Sequence, residues 1–337
     1  AINPYYSLNG NCGNPSAGPL LDPTGTGALG AIGESCRFNY ATYVQDIPSN
    51  EQNAVTVNGT WRINDNTTLY ANYDFSQNTL NSYFAPSAQP FGINPTTRNP
   101  GIYNTYLQPF LDANNLTIVA PSNPSSSFAT VGYRSVGLGS RTDDYETTWN
   151  HAAVGVDGKA WGWDYRGRLV FAQTQLTDTH AGGYSDSDCL NSAIAAGKYN
   201  PILGTGVDSV KPCILHDQVQ DIKSRVTDLT FGVQHDLWNM AGGMSIFSAG
   251  LDYAWNSYDV GYGPYGLVNS GYSTQDSFTA TAVGGGSGFV PISAHRNNWA
   301  IYGEALFPVL KSLEIDASVR YDYYDKIHSG YVFSNTA

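Results

Sequence analysis

Residues 313–324 read Leu-Glu-Ile-Asp-Ala-Ser-Val-Arg-Tyr-Asp-Tyr-Tyr, in which apolar and polar side chains alternate at nearly every step. The odd positions carry Leu313, Ile315, Ala317, Val319, Tyr321 and Tyr323, and the even positions carry Glu314, Asp316, Ser318, Arg320, Asp322 and Tyr324. A period of two places these sets on opposite faces of a β-strand. A helix would scatter the charges around every side. The stretch therefore predicts a strand with one apolar face and one polar face.

The same alternation recurs in pairs of segments that are joined by short turns. Residues 298–307 pair with the strand above, and further pairs are predicted at 54–75, 144–174 and 228–256. The turns are predicted near residues 64–66, 157–160, 236–243 and 308–312. We therefore predict about nine antiparallel strands, arranged mostly as hairpins.

The connections between the hairpins are long, at residues 76–143, 175–223 and 258–296, and another long segment follows Lys326. Such loops are unusual inside a compact soluble domain. Long loops at one end and short turns at the other are typical of an outer-membrane barrel. The sequence thus predicts an all-β fold, an antiparallel transmembrane β-barrel with long outer loops, in which residues 1–337 are part of one barrel domain. The alternative is a β-sandwich whose core would take the aromatic residues.

In a barrel, the alternation decides which side chains meet lipid and which meet the lumen. We expect the following apolar residues to face lipid: Val55, Val57, Trp61, Leu229, Leu251, Ile301, Leu313, Ile315 and Val319. We expect the following polar residues to face the lumen: Arg62, Asp228, Glu304, Glu314, Asp316, Arg320 and Asp322. If the apolar set instead converges between two packed sheets, the sandwich is correct.

Composition excludes two classes of protein. The 337 residues include 16 Lys and Arg against 28 Asp and Glu, a net charge of −12, which argues against a nucleic-acid partner. No stretch approaches the roughly 18 consecutive apolar residues of a membrane-spanning helix. Charged residues make up only 13% of the chain, about half the share in a soluble globular domain, and aromatic residues make up another 13%. The chain starts at Ala1 without a Met, so we expect it to be processed or part of something longer.

The four cysteines fall into two groups, Cys12 with Cys36 and Cys189 with Cys213, each within a polar stretch. None forms a CxxC unit, so a zinc site is not expected. Four cysteines allow three pairings, of which closure of the two short loops is the local one. Disulfides of this kind suit an oxidising compartment outside the cytoplasm, and four free thiols are the alternative.

Several stretches resemble one family of proteins. Residues 36–40 (CRFNY), 47–53 (IPSNEQN) and 65–73, which end in Leu-Tyr-Ala-Asn-Tyr, are similar to the mid-barrel region of proteobacterial TonB-dependent receptors. Residues 302–308 (YGEALFP) lead through Leu-Glu into Arg-Tyr-Asp within 313–322, which is another pattern of that family. The resemblance covers the strand framework of most of the chain, whereas the long loops match no pattern.

The resemblance implies a protein of the bacterial outer membrane that imports a scarce nutrient, such as a siderophore, cobalamin or a saccharide. Its partners would be outer-membrane lipid, the nutrient, and the inner-membrane TonB energy-coupling complex, which acts through a plug domain. The family's barrel has about 22 strands, so we expect this chain to be a central barrel fragment without plug or C-terminal strands. A passive porin or adhesin-like barrel, or a secreted all-β carbohydrate-binding or hydrolytic protein, are the alternatives.

No pattern supports catalysis, a cofactor or a metal site. The six His residues lack the HExxH spacing, and residues 284–288 are a glycine-rich loop without the Lys of a phosphate-binding loop. Residues 186–188 (Asp-Ser-Asp) indicate a solvated turn. Function is therefore expected on the long loops, where aromatic side chains can stack on a ligand. The candidates are Tyr83, Phe84, Phe91, Tyr103, Tyr106, Tyr133, Tyr184, Tyr199, Tyr262, Tyr265 and Tyr272, with packing of loop against loop as the alternative role.

Overall fold

The computed structural model describes residue 9 and residues 19–21, 36–38, 43–89, 91–117, 129–132, 134–262 and 291–330. The strands are β1 (Pro19–Leu21), β2 (Cys36–Phe38), β3 (Ser49–Asn64), β4 (Thr67–Phe84), β5 (Phe91–Ile93), β6 (Ala129–Val131), β7 (Arg141–Ala160), β8 (Trp163–Gly182), β9 (Gln218–Asn239), β10 (Met244–Tyr262), β11 (Ile292–Leu310), β12 (Leu313–Tyr324) and β13 (His328–Gly330).

Helical segments are short and lie between the long strands. They are α1 (Pro100–Ile102), a π-helical turn (Tyr103–Leu107), α2 (Gln108–Ala113), α3 (Ser187–Ala195), and 3₁₀ turns at Val136–Leu138, Val207–Ser209 and Lys211–Cys213. Among the helices of the described segments, none combines the length and the hydropathy needed to cross a membrane.

Eight long strands form one antiparallel sheet in the order β12-β11-β10-β9-β8-β7-β4-β3, and the short strand β13 also pairs with β11. The pairing is continuous from one edge to the other, and the register shifts of five strand pairs lie near the strand ends. One row of directly paired residues, across all eight strands, is Trp61, Leu69, Val156, Gly167, Phe231, Leu251, Ile301 and Tyr321. Since residues two apart on a strand share a face, this row places the whole predicted apolar set on one face of the sheet.

No second layer packs on that apolar face among the described residues. The nine side chains predicted to meet lipid are exposed, from 40% for Leu229 to 72% for Val319. A sandwich would bury these residues between two sheets, so the sandwich alternative is excluded. The two edges, β3 and β12, are not paired with each other, and the sheet is therefore an open part of a barrel wall.

The opposite face is polar. The neighbouring row of paired residues consists of Arg62, Thr68, Asp157, Arg166, Gly232, Gly250, Tyr302 and Arg320. The other residues expected in the lumen lie on this polar face as well: Asp228, Glu304, Glu314, Asp316 and Asp322. The two-residue alternation was therefore sufficient to divide the side chains between the faces.

The strands are longer than the sequence predicted. Seven of the eight span 16 to 22 residues, so they include residues 76–84 and 175–182, which were predicted as loop. The long connections shrink accordingly to residues 85–140, 183–217 and 263–291, and residues 263–290 of the last one lie outside the described part of the chain. The expected turn at 157–160 is part of the paired strands, and the chain reverses at Trp161 and Gly162. Polar side chains do not prevent strand pairing, because the hydrogen bonds between strands join backbone N–H and C=O groups.

A test of the face assignment uses two neighbouring residues of β9. Leu229→Lys places a charge on the apolar face and is expected to cost about 2–4 kcal/mol of barrel stability in a bilayer. Thr230→Lys places the same charge on the polar face and is expected to cost less than about 1 kcal/mol. Urea titration of the full-length protein refolded into liposomes measures both values. Equal costs would show that the two faces do not differ in their exposure to lipid.

Candidate functional site: the loop cap and the polar face beneath it

The two described long loops pack together at the end of the sheet opposite the short turns. We call residues 85–140 loop 1 and residues 183–217 loop 2, and the unit that they form is the loop cap. Their shared core consists of Phe91, Ile93, Ile102, Tyr103, Leu107, Phe110, Leu111, Leu138, Leu190, Ile194, Tyr199, Val210 and Cys213. Phe110 and Leu190, one from each loop, are both only 1% exposed. Each loop therefore buries apolar side chains that it could not bury alone.

Loop 2 is organised around helix α3. Asp186 caps the helix, because its carboxylate accepts hydrogen bonds from the backbone N–H groups of Asp188 and Cys189. Residues 186–188 are therefore a helix start and not the solvated turn that was expected. A disulfide joins Cys189 in the helix to Cys213 in the following 3₁₀ turn. The other expected pair cannot be described, since Cys12 lies outside the described residues.

Polar contacts fasten loop 1 to loop 2. The Ser87 hydroxyl donates to the carbonyl of Gly183, the Gln89 amide donates to the Ser185 hydroxyl, and the Asn200 amide donates to the Tyr106 hydroxyl. Ser87 and Ser185 are fully buried.

Gly183 has φ +71°, and a Cβ there would overlap the carbonyl oxygen of Ser140. Glycine thus allows loop 2 to leave β8 while it touches the start of β7.

The aromatic candidates of the loops occupy two environments. Phe91, Tyr103, Tyr184 and Tyr199 are 1–6% exposed, so they hold the cap together and present no free ring face to a ligand. Tyr106 is half-buried, whereas Tyr83 and Phe84, at the end of β4, are exposed. Tyr133, Tyr265 and Tyr272 lie outside the described residues, and only the backbone of Tyr262 is described.

The start of loop 2 folds back over the polar face of the sheet. The Tyr184 ring stacks on His180 with ring centroids 3.7 Å apart, and the Tyr184 hydroxyl donates to Asp143 at 2.7 Å. Asp143 and His180 are each 5% exposed. Three buried atoms of this cluster have no hydrogen-bond partner among the described residues: Asp143 Oδ1, Asp178 Oδ1 and His180 Nδ1.

The polar face carries paired charges from the short turns to the middle of the strands. Arg320 bridges Asp252 at 2.7 Å and Asp322 at 3.0 Å, and Arg166 bridges Asp157 at 2.7 Å. An open hollow of about 640 Å³ adjoins these pairs and is lined in part by Asp157, Arg166 and Tyr302. Each of these arginines therefore has a carboxylate partner.

Further from the short turns, the same face is mostly uncharged and carries a group that the sequence did not single out. Trp149 and His151 of β7 lie on the polar face, since their partners on β8 are Thr174 and Ala172. Their rings stack nearly parallel, with centroids 5.6 Å apart. His151 Nδ1 lies 3.2 Å from Asp74 Oδ2 and 3.1 Å from the amide nitrogen of Asn72. No group of three or more His, Cys, Asp or Glu in the described residues is placed to hold a metal ion.

Comparison with known proteins agrees with this architecture. Residues 60–336 match the family model described as TonB dependent receptor-like, beta-barrel. The chain belongs to that family. No curated protein and no solved structure shows significant similarity to the chain. The TonB-dependent receptor-like barrels are transport proteins of the bacterial outer membrane and not enzymes, and barrels of this membrane turn their apolar face to lipid.

In this barrel, the buried cluster beneath the loop cap lies beyond the apolar band and outside the membrane. Burial, and next the negative charge of Asp143, raise the pKa of Asp178 to about 7. Burial, and next the positive charge of Arg141, lower the pKa of His180 to about 4. Burial and the hydrogen bond to Asp143 raise the pKa of Tyr184. At neutral pH, His180 is therefore uncharged, and Asp178 is close to the midpoint of its titration.

A core substitution tests whether the loop cap is one folded unit. Phe110→Ala removes a ring that is 1% exposed, and is expected to destabilise the cap by about 3 kcal/mol. Hydrogen exchange should then accelerate in both loops, while the heat resistance of the barrel on gels is unchanged. Asn104→Ala, on the exposed side of the same helical segment, is the matched control. Faster exchange in loop 1 alone would mean that the loops fold independently.

The pKa of Asp178 gives a second test. A folded-state pKa raised above the unfolded value stabilises the cap below about pH 4, and this contribution is lost as the pH rises through about 7. Asp178→Asn cannot ionise, so it should stabilise the cap by about 1–2 kcal/mol at pH 8, after allowance for partial solvent exposure, and by only about a third as much at pH 5. His180 has the opposite pH dependence but is present in both proteins. Hydrogen exchange of residues 183–217 measures the difference, and an equal difference at both pH values would contradict the assignment.

Proposed function

We propose that the protein is the barrel of an outer-membrane receptor that imports a scarce nutrient by energy-coupled active transport. The observation that carries the proposal is the family match over residues 60–336. The apolar sheet face and the folded loop cap at one end support it. The nutrient is a siderophore, cobalamin, a saccharide or a similar molecule, and energy comes from the inner-membrane TonB complex through a plug domain.

Two parts of the chain are proposed to contact the nutrient. The first is the loop cap, together with the exposed rings of Tyr83 and Phe84 at its base and the half-buried Tyr106. The loop positions Tyr133, Tyr262, Tyr265 and Tyr272 stay candidates on the sequence pattern alone. The second is the lumen, to which we assign the polar face with Arg62, Asp228, Glu304, Glu314, Asp316, Arg320 and Asp322. A rigid wall with folded loops at its outer end is a common arrangement for binding.

Removal of the loop cap tests this function. Because loops 1 and 2 share a core, both must be replaced together, each by a short Asn-Gly turn, in the full-length receptor. The variant should remain a heat-resistant, membrane-inserted barrel and should lose at least tenfold in uptake of its nutrient by whole cells. The matched control is Asn104→Ala, which leaves the cap intact.

The outcomes separate active from passive transport. Dissipation of the proton gradient should stop uptake by the unmodified receptor, since the energy comes from the inner membrane. Uptake that continues without the gradient would indicate a passive porin. Uptake that survives loss of the cap but is abolished when Glu304 and Arg320 are neutralised would place recognition in the lumen and not on the loops.

A further inference from the structure

The polar face carries an aromatic shelf about midway along two of its strands. We define the shelf as Trp149, His151, Asp74 and Asn72, on the neighbouring strands β4 and β7. All four side chains lie on the polar face, because Asp74 pairs with His151 and Asn72 pairs with Ala153. Trp149 is only partly buried, so part of its ring is open to the lumen side.

Hydrogen bonds fix the lower part of the shelf. The Asp74 carboxylate lies 3.2 Å from His151 Nδ1, and the Asn72 amide donates to the same carboxylate at 3.2 Å. A proton on Nδ1 directed at Asp74 leaves Nε2 as an acceptor, whereas an Nδ1 that accepts from the Asn72 amide leaves Nε2 as a donor. Neither His151 Nε2 nor the indole N–H of Trp149 has a hydrogen-bond partner among the described residues. The shelf thus offers two polar atoms, the indole N–H as a donor and His151 Nε2 as a donor or an acceptor, beside two nearly parallel ring faces.

We propose that this shelf binds a neutral saccharide, one sugar ring of which stacks on Trp149. A pyranose ring has C–H groups on its faces and hydroxyl groups around its edge. The faces of Trp149 and His151 suit the C–H groups, and the indole N–H and His151 Nε2 suit the hydroxyls, which can both donate and accept. This assignment rests on the proposed function and names the class of nutrient.

The charges around the shelf favour a neutral ligand over an anionic one. On the neighbouring strands, Trp149 is flanked by Ser76 and Thr174, and His151 is flanked by Asp74 and Ala172. No Lys or Arg therefore adjoins the rings. The nearest full charge is the Asp74 carboxylate. An anionic ferric chelate would be repelled by that carboxylate and would need a cation that the shelf lacks.

The experiment measures binding to the purified full-length receptor in detergent by titration calorimetry. The probes are malto-, cello-, xylo- and chito-oligosaccharides of about two to six units, with a ferric hydroxamate siderophore and cobalamin as the competing classes. We expect at least one neutral oligosaccharide series to bind. Trp149→Ala should weaken that binding at least tenfold, whereas Trp149→Phe, which keeps a ring face, should retain it within about threefold.

The control variant is Trp255→Ala, which removes an equally large ring from the opposite, lipid-facing side of the sheet. It should leave saccharide affinity unchanged, and heat resistance on gels should show that every variant is folded. Saccharide binding that is unaffected by Trp149→Ala, or no binding of any saccharide, overturns the shelf assignment. Binding of the siderophore or cobalamin alone would overturn it while leaving the receptor function intact. Uptake that does not depend on the proton gradient would instead contradict the receptor function.

Discussion

The structure depends on one continuous ladder of backbone hydrogen bonds, which runs from β3 to β12 across eight strands. In lipid, each unpaired peptide group costs several kcal/mol, so every strand within the membrane must pair with its neighbours along its length. The register of the ladder also determines the face of the sheet on which each side chain lies. A slip of one residue in any pair would turn Leu229 and Leu251 into the lumen and Asp228 and Asp252 into lipid. The alternation in the sequence therefore selects the one register that keeps the apolar side chains of neighbouring strands on the same face.

The ladder continues beyond the apolar band, and this explains the loop cap. In residues 76–82 and 141–148, side chains on both faces are mostly polar, yet the strands still pair, so the sheet continues into water. Because β7 and β8 are neighbours, loops 1 and 2 leave the sheet side by side. Their apolar side chains then form one core, to which the Cys189–Cys213 disulfide adds a covalent link. The cap is thus a consequence of strand order as well as of loop composition.

The sequence predicted the faces of the sheet but not the structure of its outer end. Period two is local, so Leu313 to Tyr324 could be assigned from their neighbours alone. The sequence did not predict that β4 continues to Phe84, because the polar residues 76–82 fit a paired strand and a loop equally well. The burial of Tyr199 and Phe110 depends on contacts between segments about 90 residues apart, for which a single sequence has no local signal. No sequence pattern distinguishes Trp149 from the other aromatic residues of the strands, and its place on the polar face became clear only from the pairing with Thr174.

The polar face differs in character from strand to strand, and the difference follows from where charges can be stabilised. On β10 and β12, Arg320 lies between Asp252 and Asp322, so each charge has a partner and loss of Asp252 alone would leave Arg320 still paired with Asp322. On β4 and β7, the shelf offers rings, an amide and one carboxylate that is held by His151. A neutral ligand can exchange its hydrogen bonds with water at the shelf without separating an ion pair. A ligand that bound Arg320 would instead have to separate it from its carboxylate partners. Separation of an ion pair costs more free energy in a confined lumen than in bulk water.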